Sequence, residues 1–253
     1  MSPSAISRYE DAGLNASAPP QQRLLDGWLL RFSPGKAKRA RCVNALAAGR
    51  LPLAEKLALC EQAYAETGLP MIVRITPLSE PAQLDQALAA MGWHSLDDTR
   101  VMVLPDLHAL ATSVTDVVAL QPVDGEHFAQ VVGALRGSPL AQRDAQAVRL
   151  RNAPVNHRGF VVQRDGETLA CGQYAIESDI VGLYDVFTSP RERGRGIARE
   201  LCHAMLVRAR AEGARSAYLQ VDAGNDAARA VYHRLGFADA YAYHYRARDP
   251  QMA

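Results

Sequence analysis

Two stretches of this chain carry the same plan. The dipeptides Gly92-Trp93 and Gly236-Phe237 stand 144 residues apart. The same step lays Leu53-Ala54-Glu55-Lys56-Leu57 on Ile197-Ala198-Arg199-Glu200-Leu201. It also sets the apolar residues 71–75 beside 215–219, and 82–91 on 226–235. Gap-free agreement over about forty residues points to one supersecondary unit used twice. Any fold for this chain has to hold two related helix–strand–helix units.

The second copy reads in full. Residues 116–123 are strand-like. A helix over 126–136 ends near Gly137 and Pro139, and a second helix covers 140–151. Residues 159–164, 168–176 and 181–188 are apolar or alternating, with Asp165-Gly166 as a hairpin turn between the first two. Ile197, Leu201, Ala204, Met205 and Ala209 recur at helical spacing over 197–212, and Gly213 follows as a C-terminal stop. A strand at 217–221, a helix at 226–235 and a strand at 241–246 complete the order β-α-α-β-β-β-α-β-α-β. Before the first copy, 27–32 reads as a strand, and 105–116, without periodicity, reads as a linker. The expectation is an α/β (α+β) protein: a mixed central sheet flanked by helices, a truncated domain over 1–107 and a complete one over 116–253.

Composition removes several classes. Lys and Arg total 28 against 27 Asp and Glu, a net charge of +1. Such a balance gives no field for nucleic acid or an anionic membrane. Cys42, Cys60, Cys171 and Cys202 have no paired spacing and read as reduced thiols of a cytoplasmic protein. The histidines show no ligand pattern, so no metal is expected. No apolar run can span a bilayer, and residues 1–14 lack the core of a signal peptide.

Chemistry concentrates in RERGRGIAREL, residues 191–201. Glycines ahead of a helix let the main chain approach a ligand. The first N–H groups of a helix have no internal partners and, with the dipole, suit phosphate oxygens. Arg193 and Arg195 can add charge-assisted bonds. No Lys-Ser/Thr follows, so this is not a Walker loop. Taken alone, an exposed basic turn explains the stretch nearly as well.

With YLQVDAGNDAARAVYHRLGF downstream, residues 117–246 resemble the GCN5-related N-acetyltransferases (GNAT). The family's (R/Q)-x-x-G-x-(G/A) loop reads Arg193-Gly194-Arg195-Gly196-Ile197-Ala198, and Arg191-x-x-Gly194-x-Gly196 also fits. Its N-x-x-A-x-x-x-Y-x-x-x-G-F reads Asn225, Ala228, Tyr232, Gly236 and Phe237. The resemblance implies an acyltransferase using acetyl-CoA. Its pantetheine arm would lie along Val186, Phe187 and Thr188, its pyrophosphate on the amides from Arg193 to Ala198, and Asn225 beside the arm. It implies Tyr232 as general acid to the departing thiolate. Asp185, in a stretch similar to some aminoglycoside acetyltransferases, is the candidate base, ahead of Glu177 and Asp179; water chains are the other route. The oxyanion donor would be an N–H near Phe187. The acceptor would be the amine of a small molecule or peptide, and the protein a monomer or homodimer. A non-enzymatic acyl-CoA sensor is the second reading.

The same step tests the first copy. Arg193 falls on Gly49, Gly196 on Pro52 and Tyr232 on Leu88. Proline has no N–H to donate and leucine no proton. The first copy is therefore expected to keep the framework without the cofactor chemistry, and to shape the acceptor pocket. The basic run Lys36, Lys38, Arg39 and Arg41 reads as a solvated edge or an attraction for an acidic acceptor. Trp28 and Trp93 read as core.

Overall fold

A computed structural model describes residues 1–111 and 119–251. Residues 112–116 of the expected linker and 116–118 of the expected strand lie outside these. The second half follows the sequence order closely: β6 (Gln121–Val123), α4 (Gly125–Leu135), α5 (Leu140–Arg151), β7 (His157–Arg164), β8 (Glu167–Glu177), β9 (Ile180–Thr188), α6 (Ile197–Ala211), β10 (Ser216–Asp222), α7 (Asp226–Arg234) and β11 (Ala238–Ala247). The first half holds β1 (Gln21–Leu25), β2 (Trp28–Phe32), β3 (Val43–Ala45), α2 (Leu53–Thr67), β4 (Val73–Ile75), α3 (Leu84–Ala90) and β5 (His94–Leu104). Both ends of α2 lie 144 residues before those of α6. An N-terminal helix, α1 (Pro3–Ala16), capped by Ser2, has no counterpart in the sequence reading.

All described strands join one eleven-stranded sheet, in the order β1-β2-β3-β4-β11-β5-β10-β9-β8-β7-β6. Its two wings repeat each other. β1–β2–β3 and β7–β8–β9 are antiparallel, and β3–β4 and β9–β10 are parallel. The middle is interlocked. β5 of the first half pairs with β10 from Ala217↔Leu104 to Asp222↔Thr99. β11 of the second half pairs with β4. β5 and β11 pair with each other. Each half thus gives its last strand to a place beside the other's parallel pair.

Apolar residues lie on both faces. Under α6 and α7, Leu201, Met205 and Leu206 pack on Met102, Phe160 and Leu219. Phe128 and Val132 of α4 close the opposite face over Val161 and Cys171. The first half has its own cluster, with Trp28 and Trp93 inside it. The stretch read as a linker is partly packed: Leu107 is fully buried and its N–H donates to the Arg215 carbonyl at 2.8 Å. The four cysteines are buried and unpaired.

Two irregularities in β9 prepare a site. Opposite β8, Cys171 pairs with Phe187 but Gln173 with Tyr184, so β9 carries one extra residue. That bulge holds Asp185 at φ +51°, unusual for a side-chain-bearing residue. On its other edge, β9 pairs with β10 only from Ile180↔Ser216 to Leu183↔Leu219. Beyond Leu183 the two strands no longer share a ladder.

Candidate active site

The open edge of β9 carries Val186, Phe187 and Thr188, the segment expected to face a cofactor. Backbone groups there lack a β10 partner and are available to an extended ligand. The Thr188 hydroxyl is buried without a hydrogen-bond partner. Past Thr188, a short 3-10 turn over Pro190–Glu192 leads to Arg193, Gly194, Arg195 and Gly196.

Gly196 caps α6 at φ +80°, and Gly194 stands at φ +76°. Gly196, having no side chain, gives the first N–H groups of α6 no side-chain cap. Space around both glycines is open: a Cβ at either would meet nothing within 4 Å. The glycines are needed for backbone shape, and the first turn of α6 presents bare donors to solvent. Arg193 donates to the Thr188 carbonyl at 3.4 Å and stacks over Phe187 at 5.5 Å. Arg195 pairs with Glu192 at 3.2 Å. Ile197 turns its side chain into the core, so it and Ala198 offer the main chain only.

Tyr232 sits on α7, buried among Ile197, Leu201 and Cys202, with half-buried Val186 packed on the same cluster. Its ring meets Phe237 edge-on at 6.1 Å. Burial raises its hydroxyl well above the usual phenol range, with nearby Cys202 adding to the shift. Asn225 accepts from the Ala228 N–H at 3.1 Å as the N-cap of α7. That bond accounts for Asn225 locally, without a ligand.

Asp185 points the other way, toward α5. Its Oδ1 accepts from Arg136 at 2.9 Å, and its Oδ2 from Gln146 at 3.0 Å and Gln173 at 2.8 Å. Burial alone would raise its pKa, but the charges of Arg136 and Arg149 and these bonds outweigh it and hold the carboxyl below its usual range. Asp185 and Tyr232 thus flank β9 from opposite faces. Glu177 and Asp179 are tied to α1 by Asn15 at 2.8 Å and Arg8 at 2.5 Å. Arg136, Gln146 and Gln173 escaped the sequence reading. They come from three elements, and no local pattern joins them to Asp185.

The equivalent place in the first half is already filled. Asp26 accepts from the N–H groups of Arg50 and Leu51, each at 2.9 Å, just before α2. Buried Lys56 reaches the same carboxylate at 2.8 Å. The Lys56 bond, then the two amides, hold Asp26 at about 2. Gly49 at φ +75° has no room for a Cβ, which would come within 2.2 Å of Asp26. Two members of the basic run are likewise engaged: Lys38 pairs with Asp97 at 2.8 Å, and Arg39 donates to Gln220 and Tyr243. Among the described residues, no group of three or more His, Cys, Asp or Glu could hold a metal ion. No described helix is long and apolar enough to cross a membrane.

Comparison with known proteins bears on this geometry. The sequence pattern of the Acetyltransferase (GNAT) family matches residues 128–237. The chain is 26% identical over 240 residues to the uncharacterised N-acetyltransferase YobR of Bacillus subtilis, covering 89% of this chain and 91% of that protein. The fold matches a GCN5-related N-acetyltransferase from Kribbella flavida with a TM-score of 0.70 at 16% identity, over 96% of this chain and 95% of the other. It also matches a tandem GNAT protein from the clavulanic acid biosynthesis pathway with a TM-score of 0.61 at 16% identity, over 92% and 85%. Glycine loop, bulged β9 and α7 tyrosine all fall within residues 128–237, the part of the chain that matches the acetyltransferase (GNAT) family.

Proposed function

We propose that the chain is an N-acetyltransferase that takes acetyl from acetyl-CoA and passes it to a primary amine. One observation carries the reading: the β9–β10 ladder stops at Leu183, and the freed edge of β9 leads to the uncapped, glycine-led start of α6. The cofactor fits what is there. The N–H groups from Arg193 to Ala198 would hold its diphosphate, with Arg193 and Arg195 adding charge. The edge of Val186, Phe187 and Thr188, including the orphaned Thr188 hydroxyl, would hold its arm, with Asn225 at the border. Acetyl-CoA, when bound, supplies an activated thioester carbonyl.

The chain's own groups do the rest. The Phe187 N–H is the candidate donor to the carbonyl oxygen. Tyr232 keeps its proton at any working pH. An ordinary phenol (~10) giving its proton fully to a thiolate (~8.5) is uphill by about 2 kcal/mol, and burial widens that gap. Tyr232 therefore serves the departing sulfur chiefly through a hydrogen bond. Asp185 is a poor base for the same kind of reason: its partners favour the ionised form. It holds the incoming amine in place, and the amine's proton leaves to solvent. The filled cradle of the first half supports a single cofactor site per chain.

Tyr232→Phe tests the reading, with an amine panel, acetyl-CoA and free-thiol release as the signal. Turnover should fall by about ten- to a hundredfold, the worth of one hydrogen bond to a charged group, while acetyl-CoA affinity stays nearly unchanged. Tight acetyl-CoA binding without thiol release for any amine would leave a non-catalytic acyl-CoA sensor instead.

A further inference from the structure

Beside Asp185 the site opens into a cavity of about 260 Å³. One wall is α5, through Gln142, Arg143, Gln146 and Arg149; the far wall is the loop after β2, with Ser33 and Lys36. The first half therefore completes this cavity. Four cationic side chains line it, Lys36, Arg136, Arg143 and Arg149, against one carboxylate, Asp185.

Two of those cations are committed. Arg136 pairs with Asp185 at 2.9 Å, and Arg143 donates to the Ser138 carbonyl at 2.7 Å. The other two are not. Arg149 donates to the Ala16 carbonyl at 3.2 Å, and neither it nor Lys36 has an ion-pair partner among the described residues. Burial lowers the proton affinity of the Arg149 guanidinium, and the Asp185 charge only partly offsets this. A half-buried cation without a counter-ion is costly, and an anionic ligand would relieve that cost. Asp185 also has capacity left. A carboxylate offers about four acceptor positions, and three donors occupy them, two on Oδ2 and one on Oδ1.

Building on the acetyltransferase reading above, we propose that the acceptor is a small amine carrying its own carboxylate, of amino-acid type. Its ammonium approaches the open side of Asp185 Oδ1, and its carboxylate meets Arg149 and Lys36. The cavity is smaller than the roughly 300–1,000 Å³ typical of sites for drug-sized ligands, which suits so small a molecule. Arginine's planar fork matches a carboxylate in two parallel hydrogen bonds. In the transfer, the amine nitrogen bonds to the acetyl carbon and the carbon–sulfur bond breaks. One ammonium proton goes to solvent and a second ends on the sulfur.

The test uses the full chain and matched pairs of L-amino acids and their carboxamides, with spermidine as a cationic control. Thiol release gives kcat and KM. Calorimetric titration of N-acetyl amino acids onto CoA-loaded protein gives a readout free of turnover. The acids should surpass their amides by about tenfold or more in kcat/KM, the worth of one charged pair. Arg149→Met should raise KM by a similar factor with little change in kcat, and abolish the calorimetric signal. Arg149→Lys should restore part of both, which separates charge from a folding defect. Amides or spermidine used as well as the acids, or a preference surviving in Arg149→Met, overturns the assignment and leaves the acetyltransferase standing. A wild-type chain that binds no acetyl-CoA overturns both.

Discussion

Gly196 shows how much function can rest on one backbone angle. At φ +80° it starts α6 without a side-chain cap, leaving the first N–H groups bare. Gly213, just beyond the far end of the same helix, stands at φ +107° and is equally uncrowded. An alanine at either position should cost about 1 kcal/mol of stability, because an L-residue is strained there. Only at Gly196 would the new methyl intrude where the diphosphate is expected. Gly196→Ala should therefore weaken acetyl-CoA binding by about tenfold or more, and Gly213→Ala should not, with thermal unfolding matched in both. Equal affinities by calorimetry would show that the α6 start is not the anchor. The glycines were legible in the sequence because their demand is local. The surroundings of Asp185 were not: Arg136, Gln146 and Gln173 reach it only after α4, α5 and β8 have packed.

Among the elements, α6 was readable to within one residue, expected over 197–212 and found as Ile197–Ala211, since its apolar spacing is its own and Gly213 follows it. α1 was not. Its inward face is Ile6, Tyr9, Ala12, Gly13 and Ala16, small residues for the most part, interrupted by Glu10. Glu10 makes sense only in three dimensions. Arg74 of β4 bonds both its oxygens, at 2.5 and 3.0 Å, and Tyr241 of β11 donates at 2.6 Å. This knot ties α1 to strands of both halves. Burial opposes the charge on Glu10, yet Arg74 and the hydrogen bonds lower its pKa. A depressed carboxylate stabilises the fold above its unfolded pKa, and that support is lost as pH falls below about 4.5. Arg74→Met would strand the buried carboxylate. It should cost about 3–5 kcal/mol near neutral pH, and calorimetric unfolding should show part of the loss recovered in acid, where Glu10 can be protonated. A cost independent of pH would mean that packing, not the ion pair, carries the effect.

At the scale of the whole molecule, the two halves share one sheet. The sequence showed a repeated plan, but not that β5 and β11 cross over, because strand partners are chosen between distant segments. The crossing has consequences for any attempt to separate the halves. Cut between residues 111 and 112, the second half would keep β10 with one edge bare and β11 without β5 between them. The first half would lose β11 from between β4 and β5. Long unpaired edges template aggregation. The second half alone would also lack Lys36 and its loop, and with them one wall of the acceptor cavity. Each half produced alone should be insoluble or should lack a cooperative unfolding transition. Produced together, they should co-purify as a one-to-one complex by size-exclusion chromatography and regain acetyl-CoA binding. If residues 112–253 alone unfold cooperatively and bind acetyl-CoA as the full chain does, the shared middle of the sheet is dispensable, and the first half is an appendage to a self-sufficient domain.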